Sequence, residues 1–381
     1  MNGDTGSDML HGGGGNDIYF VNAQDDLVVE GMNDGGVDTV LSSASYVLGA
    51  GVEVEQLQTT SFAGTGAIDL TGNALAQQIF GNAGANRLED GLGAADTLTG
   101  GAGDDTFVVR NAGTLIVEDV GGGSNDVVAA EVSFVLAADD DIEQLQTTSF
   151  AGTGVIALTG NGLAQQIFGN AGANRLEDGL GAADTLTGGA GDDTFVVRNA
   201  GTLIVEDAGG GSNDRVVVAV SFVLAADDNV ERLQTISHEV RALDLTGNEL
   251  GQQIFGNAGA NRLDGKGGND TLSAGAGSDV FVFSTALGAG NVDLINGYSV
   301  VDDTLTVDNA IFAGLASGVL AATAFVRNTT GAAGDATDRI IYETDTGALL
   351  FDRDGTGAIA AVRFATLGTN LAVTNADFFV F

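Results

Sequence analysis

Residues 100–108 read GGAGDDTFV, and the same nine letters return at 188–196. Residues 12–20, GGGGNDIYF, obey the same rule, which is Gly-Gly-x-Gly-x-Asp-x-Φ-x with Φ a large apolar residue. The six glycine-rich residues favour a turn, because glycine adopts the positive φ that tight turns need. The last three favour a short strand whose middle side chain points inward while its neighbours point outward. The nonapeptide therefore predicts a turn followed by a short strand.

Such nonapeptides lie in tandem at 3–20, 72–108, 160–196 and 247–282. Two of them would make one coil of about 18 residues, and one coil cannot bury a core unless neighbouring coils stack on it. We therefore predict an all-β fold, a right-handed parallel β-roll or β-helix solenoid with a β-rich C-terminal module. The inward-pointing residues of the strands are predicted to be Leu98, Phe107, Leu186, Phe195, Leu272 and Phe281.

A longer repeat contains these blocks. The string QQIFGNAGANRL at 77–88 returns at 165–176 and at 252–263, which indicates an array of similar units and not a two-domain enzyme. We predict five segments. They are a truncated first unit at 1–56, full units at 57–144 and 145–231, a last repeat block at 232–283, and a C-terminal module at 284–381.

The charge of the chain excludes several classes of partner. Among 381 residues, 52 are acidic and 13 are basic, and the formal net charge of −39 would repel nucleic acid and anionic membranes. No run approaches the 18 or so apolar residues that a membrane span needs. The absence of cysteine excludes disulfides and thiolate metal sites. The oligomeric state stays open.

The acids of the turns suggest a metal site. In a stack of such coils the sixth position of one nonapeptide faces the sixth position two repeats later, so carboxylates and turn carbonyls point into the same gap. A site with only oxygen ligands suits Ca²⁺ better than Mg²⁺, which demands tight octahedral geometry. The predicted pairs are Asp8/Asp26, Gln252/Asp270 and Asn261/Asp279 at an offset of 18 residues, and Gln77/Asp96, Asn86/Asp105, Gln165/Asp184 and Asn174/Asp193 at 19, where an extra Asp90 or Asp178 intervenes.

Most of these pairs hold one carboxylate and one amide. Fewer charged ligands mean a lower affinity for Ca²⁺, so we expect weak sites. Further acids follow 21 residues after Asp17, Asp105 and Asp193 and indicate widened coils. The alternative is that these are simply soluble Asp-Gly turns. The recurrence of the same turn in register with an apolar strand residue favours metal binding.

The nonapeptides resemble the RTX repeats of bacterial proteins that are exported by type I secretion. Residues 279–312 (DVFVFSTALGAGNVDLINGYSVVDDTLTVDNAIF), 338–357 (DRIIYETDTGALLFDRDGTG) and 362–367 (VRFATL) resemble the C-terminal domain of serralysin-type metalloproteases and related secreted proteins. The resemblance implies a parallel β-roll that holds Ca²⁺ in its turns, followed by strands with an uncleaved export signal. It also implies a secreted, extracellular bacterial protein.

Carried over by position, the metal ligands of that family are the sixth-position acids and the carbonyls of the turn glycines. The acids predicted here are Asp8, Asp17, Asp26, Asp96, Asp105, Asp184, Asp193, Asp270 and Asp279. The glycines are Gly12, Gly15, Gly100, Gly103, Gly188, Gly191, Gly265, Gly268, Gly275 and Gly277. The amide positions Asn86, Asn174 and Asn261 depart from the family pattern and are predicted to form weaker half-sites.

The C-terminus ends in an acid and a run of large apolar residues, Asp377-Phe378-Phe379-Val380-Phe381. This ending is similar to a type I export signal, which would make the ABC-transporter export machinery a partner. The alternative is a last strand that packs on the core. Both can hold, because the signal would be read before folding.

No catalytic motif accompanies the repeats. The HExxH motif of zinc proteases would need two histidines on one helical face, but glycines follow His11 and the stretch that begins at His238 (HEVRA) lacks the second histidine. We therefore predict a non-catalytic calcium-binding β-roll that folds on Ca²⁺ binding after secretion. Two alternatives stay open: the C-terminal secretion and folding module of a larger secreted enzyme (a protease, lipase or epimerase), or a structural coat or adhesin segment.

Overall fold

The protein is built almost entirely of short β-strands and turns. The computed structural model describes residues 1–31, 35–236 and 240–381, so His238 lies outside the described residues. Within those ranges the only helices are two three-residue 3₁₀ turns, Ala322–Ala324 and Asn375–Asp377. No helix in the described part of the chain is long and apolar enough to cross a membrane.

Backbone contacts divide the chain into two units. The first comprises Met1–Gly191 and Gly201–Leu203, and the second comprises Asp192–Ala200 and Ile204–Phe381. The five predicted segments follow the sequence repeat instead, and their boundaries stay predictions.

In the first unit, successive strands alternate between parallel sheets, as a solenoid requires. Sheet 1 contains, in chain order, Ile18–Val21, Thr39–Ser42, Gln56–Thr59, Gln78–Phe80, Thr97–Thr99 and Leu115–Val117. Sheet 2 contains Tyr46–Val47, Asp69–Thr71, Arg87–Glu89, Thr106–Val109, Val127–Ala130, Gln144–Thr147, Gln166–Phe168 and Thr185–Thr187. Shorter parallel groups are Met9–His11 with Leu27–Val29, and Phe134–Val135 with Ala157–Thr159 and Arg175–Glu177. Leu203–Val205 forms a further strand.

The second unit repeats this architecture and ends in the C-terminal module. Sheet 3 contains the parallel strands Thr194–Val197, Arg215–Val218, Arg232–Thr235, Gln253–Phe255, Thr271–Ser273, Asp293–Ile295 and Val362–Thr366, followed by Ala348–Phe351, Ile340–Glu343 and Phe325–Asn328. Sheet 4 contains Phe222–Val223, Asp244–Thr246, Arg262–Asp264, Val280–Phe283, Thr304–Val307, Phe378–Val380 and Gly318–Val319. Antiparallel pairs occur only in the module among the described residues, at Ala348–Phe351 and Gly318–Val319. The predicted all-β parallel solenoid is therefore confirmed.

The core is a column of apolar residues, one from the centre of each strand. Leu98, Phe107, Leu186, Phe195 and Leu272 are completely buried. The flanking strand residues, such as Thr97 and Thr99, are half-buried because they point outward from the sheet. Each strand adds one large apolar side chain, so burial of the core depends on stacking one coil on the next.

The spacing of the strands follows the sequence. Met9 pairs with Leu27 at an offset of 18 residues, whereas Gln78 pairs with Thr97 at an offset of 19. The extra residue in the second case is Asp90, which is fully buried. Its carboxylate accepts hydrogen bonds from the backbone of Arg110 (2.7 Å) and from the hydroxyl of Thr114 (2.7 Å). The insertion therefore lengthens the coil without leaving an unpaired acid.

We expect the replacement Ile79→Ala to lower the free energy of unfolding by about 2–5 kcal/mol, because it empties part of the apolar column at a fully buried position. Urea denaturation in saturating Ca²⁺ measures this. Gln78→Ala, at the neighbouring outward position, is the matched control and should change stability by about 0.5 kcal/mol or less. Equal effects of the two replacements would contradict the assigned orientation of the strand.

Candidate metal centre

The sixth position of each nonapeptide is tied to the turn stacked on it. The backbone N–H of Gln77 donates to Oδ1 of Asp96 over 2.7 Å, and that of Asn86 donates to Asp105 over 2.6 Å. The same bond joins Asp8 to Asp26, Asp17 to Asp38, Asp105 to Asp126, Gln165 to Asp184, Asp193 to Asp214, Gln252 to Asp270, and Asn261 to Asp279. The predicted offsets of 18, 19 and 21 residues are therefore stacking offsets in these turns.

The bond is directional, from the backbone of the earlier turn to the carboxylate of the later one. It continues beyond the nonapeptides, because the N–H of Asp126 donates to Glu143 Oε2 (2.6 Å) and that of Asp279 donates to Asp303 Oδ1 (3.1 Å). One oxygen of each such acid is thereby held inside the stack. The other oxygen decides whether the turn needs a cation.

The amide turns meet their own hydrogen-bonding needs. The side chain of Gln77 accepts from the N–H of Asn73 (3.0 Å) through Oε1 and donates to Asn73 Oδ1 (2.9 Å) through Nε2. Gln165 with Asn161 and Gln252 with Asn248 repeat this arrangement. Asn86 likewise accepts from the N–H of Asn82 (2.6 Å) and donates to a backbone carbonyl. These turns are neutral and hydrogen-bonded without a metal.

The acidic turns leave oxygens without a partner. The buried oxygens that accept no hydrogen bond include Oδ2 of Asp8, Asp105, Asp126, Asp214, Asp270 and Asp279, and both carboxylate oxygens of Glu118 and Glu206. A buried, ionised oxygen without a partner is strongly unfavourable. Oxygens of this kind, gathered in one place, are the ligands that Ca²⁺ prefers.

Three clusters gather such oxygens within 4.8 Å of one another. The clusters are Asp17/Glu30/Asp38, Asp105/Glu118/Asp126 and Asp193/Glu206/Asp214. They recur at intervals of 88 residues, and every member is buried except Asp17, which is half-buried. Because each cluster brings three carboxylates together, each can supply the charge and the oxygens of a divalent cation site.

The widened coils build the clusters. In the second cluster, Asp105 and Asp126 precede the paired strands Thr106–Val109 and Val127–Ala130. Glu118 directly follows the intervening strand Leu115–Val117. A longer loop therefore places a third carboxylate beside two stacked turns.

Glycine keeps the space between the carboxylates open. A Cβ atom on Gly100 would overlap Glu118 Oε2 and lie 2.5 Å from Asp105 Oδ2. A Cβ atom on Gly122 would overlap the other oxygen of Glu118. Gly100 was predicted as part of the site, whereas Gly122 was not.

Burial and mutual repulsion raise the pKa values of these acids. Burial, followed by the charges of Asp126 and Asp105, raises the pKa of Glu118 from 4.5 to about 9. Burial likewise raises the pKa of Asp105 to about 7 and that of Asp126 to about 6. Glu206 repeats the behaviour of Glu118, with its pKa raised to about 9 by burial and by the charges of Asp214 and Asp193. Without a cation, the clusters hold protons at neutral pH.

Sequence reasoning missed Glu30, Glu118 and Glu206. Each stands at the first position after a strand, where the nonapeptide rule has a glycine, and so lies outside the sixth-position pattern. The signal that would have found them is their recurrence at an interval of 88 residues between two predicted or widened acidic turns.

The other predicted acids lie in the turns but outside these clusters. Asp8 is half-buried, whereas Asp26, Asp96, Asp184, Asp270 and Asp279 are buried. Among the predicted glycines, Gly12, Gly100 and Gly265 lie against acidic side chains. Those with positive φ are Gly15, Gly103, Gly191, Gly268, Gly275 and Gly277. Asn86, Asn174 and Asn261 are buried. Their roles as metal ligands, and that of Gly188, stay predictions.

The last repeat block contains the only lysine of the chain. The Lys266 ammonium lies 3.2 Å from Oδ2 of Asp264, which is buried near Asp270. Burial and the neighbouring Asp293 raise the pKa of Asp270. Lys266 occupies a glycine position of the nonapeptide and has a φ of 67°. A cationic side chain therefore offsets part of the charge of this turn.

We expect the calcium-free fold to become less stable as pH rises from 5.5 to 8. The raised pKa values of Glu118, Asp105 and Asp126 mean that the folded state binds protons more tightly than the unfolded state. Their stabilising contribution is complete below the unfolded pKa of about 4 and is lost as pH rises through about 6 to 9. Urea midpoints of calcium-free protein measure this loss.

The same linkage predicts that Ca²⁺ binding at pH 7 releases protons, because ligand carboxylates must be ionised. Calorimetric titrations in buffers of different ionisation enthalpy measure the release. A urea midpoint of the calcium-free protein that rises between pH 5.5 and 8 would show that the clusters are ionised without a cation.

Comparison with known families agrees with this geometry. The family model of the RTX calcium-binding nonapeptide repeat matches the chain in four copies, at residues 1–28, 71–107, 159–195 and 246–283. No curated protein and no solved structure matches the chain. The resemblance of the C-terminal module to serralysin-type domains stays a prediction. Repeats of this kind bind Ca²⁺ and are typical of secreted proteins. The chain is therefore an RTX-repeat protein, with its calcium-binding nonapeptides arranged in a parallel β-roll.

Proposed function

We propose that the protein is a non-catalytic calcium-binding β-roll that folds on Ca²⁺ binding after type I export from a bacterial cell. The observation that carries this proposal is the state of Glu118 and Glu206, each 2% exposed, with no hydrogen bond to either carboxylate oxygen and with two aspartates beside it. Such a site is unfavourable when ionised and empty, and a divalent cation makes it favourable.

The residues of the second cluster show how the chain would hold the ion. Oδ2 of Asp105, Oδ2 of Asp126 and both oxygens of Glu118 are available as ligands. Their remaining oxygens are fixed by the backbone N–H groups of the stacked turns, so the two aspartates are positioned before any ion arrives. Bound Ca²⁺ would supply the positive charge that these buried acids lack.

Calcium concentration then decides whether the chain folds. In a cytosol with little free Ca²⁺, the carboxylates repel one another and the glycine-rich chain keeps its conformational entropy. Outside the cell, each site adds RT ln(1 + [Ca²⁺]/Kd) to stability, which is about 2.7 kcal/mol at 100 times the Kd. Several such sites per chain are comparable with the whole stability of a typical domain.

We expect far-ultraviolet circular dichroism at pH 8 to show little β signal in chelator, and Ca²⁺ to restore it. The physical reason is that three buried clusters of ionised carboxylates oppose folding until a cation neutralises them. A chain that is already fully β in chelator would overturn the proposal.

Variants of one cluster make the test specific. Glu118→Gln should weaken Ca²⁺ binding at the second cluster at least about tenfold, since it removes one charged ligand. The same change should stabilise the calcium-free protein, because a buried charge is lost. Asp119→Asn, at the exposed neighbouring position, removes the same charge and should change neither quantity. Equal effects of the two variants would argue against a site at Glu118.

The C-terminus supports the export part of the proposal. Phe378–Val380 forms a strand that pairs with Thr304–Val307 and with Gly318–Val319, and Phe378 and Val380 are completely buried. The ending is therefore a core strand in the folded protein. Export machinery that reads it would have to act before the strand pairs, which agrees with folding that waits for extracellular Ca²⁺.

Two outward-facing residues separate the two roles of this ending. Phe379 and Phe381 are 44% and 45% exposed, so the double replacement of both by serine should leave the calcium-bound fold unchanged. If the ending is an export signal, the amount of protein in the medium of cells with a type I exporter should fall. Val301→Ser, at a position 85% exposed in the same module, is the control. Undiminished export of the double variant would remove the assigned signal.

A further inference from the structure

The first acidic cluster differs from the other two in one neighbouring side chain. Tyr19 stands where the second and third clusters have Phe107 and Phe195, at intervals of 88 residues. All three are the central residues of strands, and all three are completely buried. Only the tyrosine carries a polar atom, and its hydroxyl donates a hydrogen bond to Glu30 Oε1.

That hydroxyl lies among the carboxylates. A Cβ atom built on Gly12 would overlap the Tyr19 hydroxyl and Glu30 Oε1, and would lie 2.7 Å from Asp17 Oδ2. In the second cluster, the corresponding Cβ on Gly100 would meet Glu118, Asp105 and the tip of the Phe107 ring. The phenol oxygen of Tyr19 therefore enters a space that is bounded by a ring edge in the second cluster.

The hydrogen bond changes what the glutamate can offer to a cation. Glu30 has one unpartnered oxygen, Oε2, whereas Glu118 and Glu206 each have two. For Glu30 to give both oxygens to an ion, the Tyr19 hydroxyl would have to lose its acceptor at a position with no access to water. A buried hydroxyl left without a partner is unfavourable, so part of the binding free energy is lost.

We infer that Tyr19 makes the first cluster bind Ca²⁺ more weakly than the second and third, so that the N-terminal coil closes at a higher calcium concentration. The inference rests on the proposed function, in which all three clusters hold Ca²⁺. The phenol proton partly takes the place of the cation, and it also stabilises the calcium-free form of this one cluster. Tyr19 is a tuning residue, acting through Glu30.

The test is a calcium titration of the full chain followed by hydrogen exchange and mass spectrometry. Peptides around Glu30, Glu118 and Glu206 report the Ca²⁺ concentration at which each cluster becomes protected. The second and third units differ at Val120 and Ala208, so peptides that include these residues separate the two copies. We expect the first cluster to need about ten times more Ca²⁺ than the others, equivalent to about 1.4 kcal/mol.

Two exchanges of one hydroxyl group make the test causal. Tyr19→Phe should lower the calcium midpoint of the first cluster about tenfold and leave the other two unchanged. Phe107→Tyr should raise the midpoint of the second cluster. Each variant creates a side chain that another copy already contains at that position, so folding in calcium is expected. Tyr342→Phe, which removes a buried hydroxyl bonded to a backbone carbonyl, is the control.

The outcomes separate this inference from the proposed function. If no cluster gains protection with Ca²⁺, both fail. If all three gain protection at one concentration, or if Tyr19→Phe leaves the first midpoint unchanged or raises it, only the role of Tyr19 fails.

Discussion

The backbone N–H of one turn holds the carboxylate of the turn stacked on it, and this hydrogen bond determines where the negative charge of the protein lies. It fixes one oxygen of acids such as Asp105 and Asp126 inside the stack and away from water. A chain with a net charge of −39 therefore buries part of that charge in columns along the solenoid. Buried charge is unfavourable unless it is paired, so each turn needs a partner for the second oxygen.

The chain provides this partner in three ways. An amide replaces the acid in turns such as that of Gln77, where both ends of the side chain are hydrogen-bonded. A basic side chain neutralises the acid at Glu89, which pairs with Arg110, and at Asp264, which pairs with Lys266. In the widened coils, Glu118 and Glu206 have neither. Only at these coils does the fold depend on a charge from outside the chain.

The sequence predicted the periodic part of this design well. The nonapeptide rule identified the buried residues, such as Leu98 and Phe107, because turn and strand are encoded within nine residues. It also predicted which sixth positions stack, although the contact is between a backbone N–H and a carboxylate, where facing side chains had been expected. Glu118 escaped because it follows a strand at a glycine position, and only the length of the loop brings it to Asp105 and Asp126. Contacts set by loop length are not visible in a local motif.

The same reasoning explains why the repeat is 88 residues long and not nine. In a solenoid each coil contacts only its neighbours, so an unpaired charge must be resolved within a few residues of where it occurs. A unit that combines neutral amide turns with one cluster around Glu118 has a metal-independent block beside a metal-dependent coil. Duplication of the unit then copies both together, which keeps the number of calcium-dependent coils in proportion to length. The one change near a cluster, Tyr19 for phenylalanine, alters its demand for calcium without altering the shape of the coil.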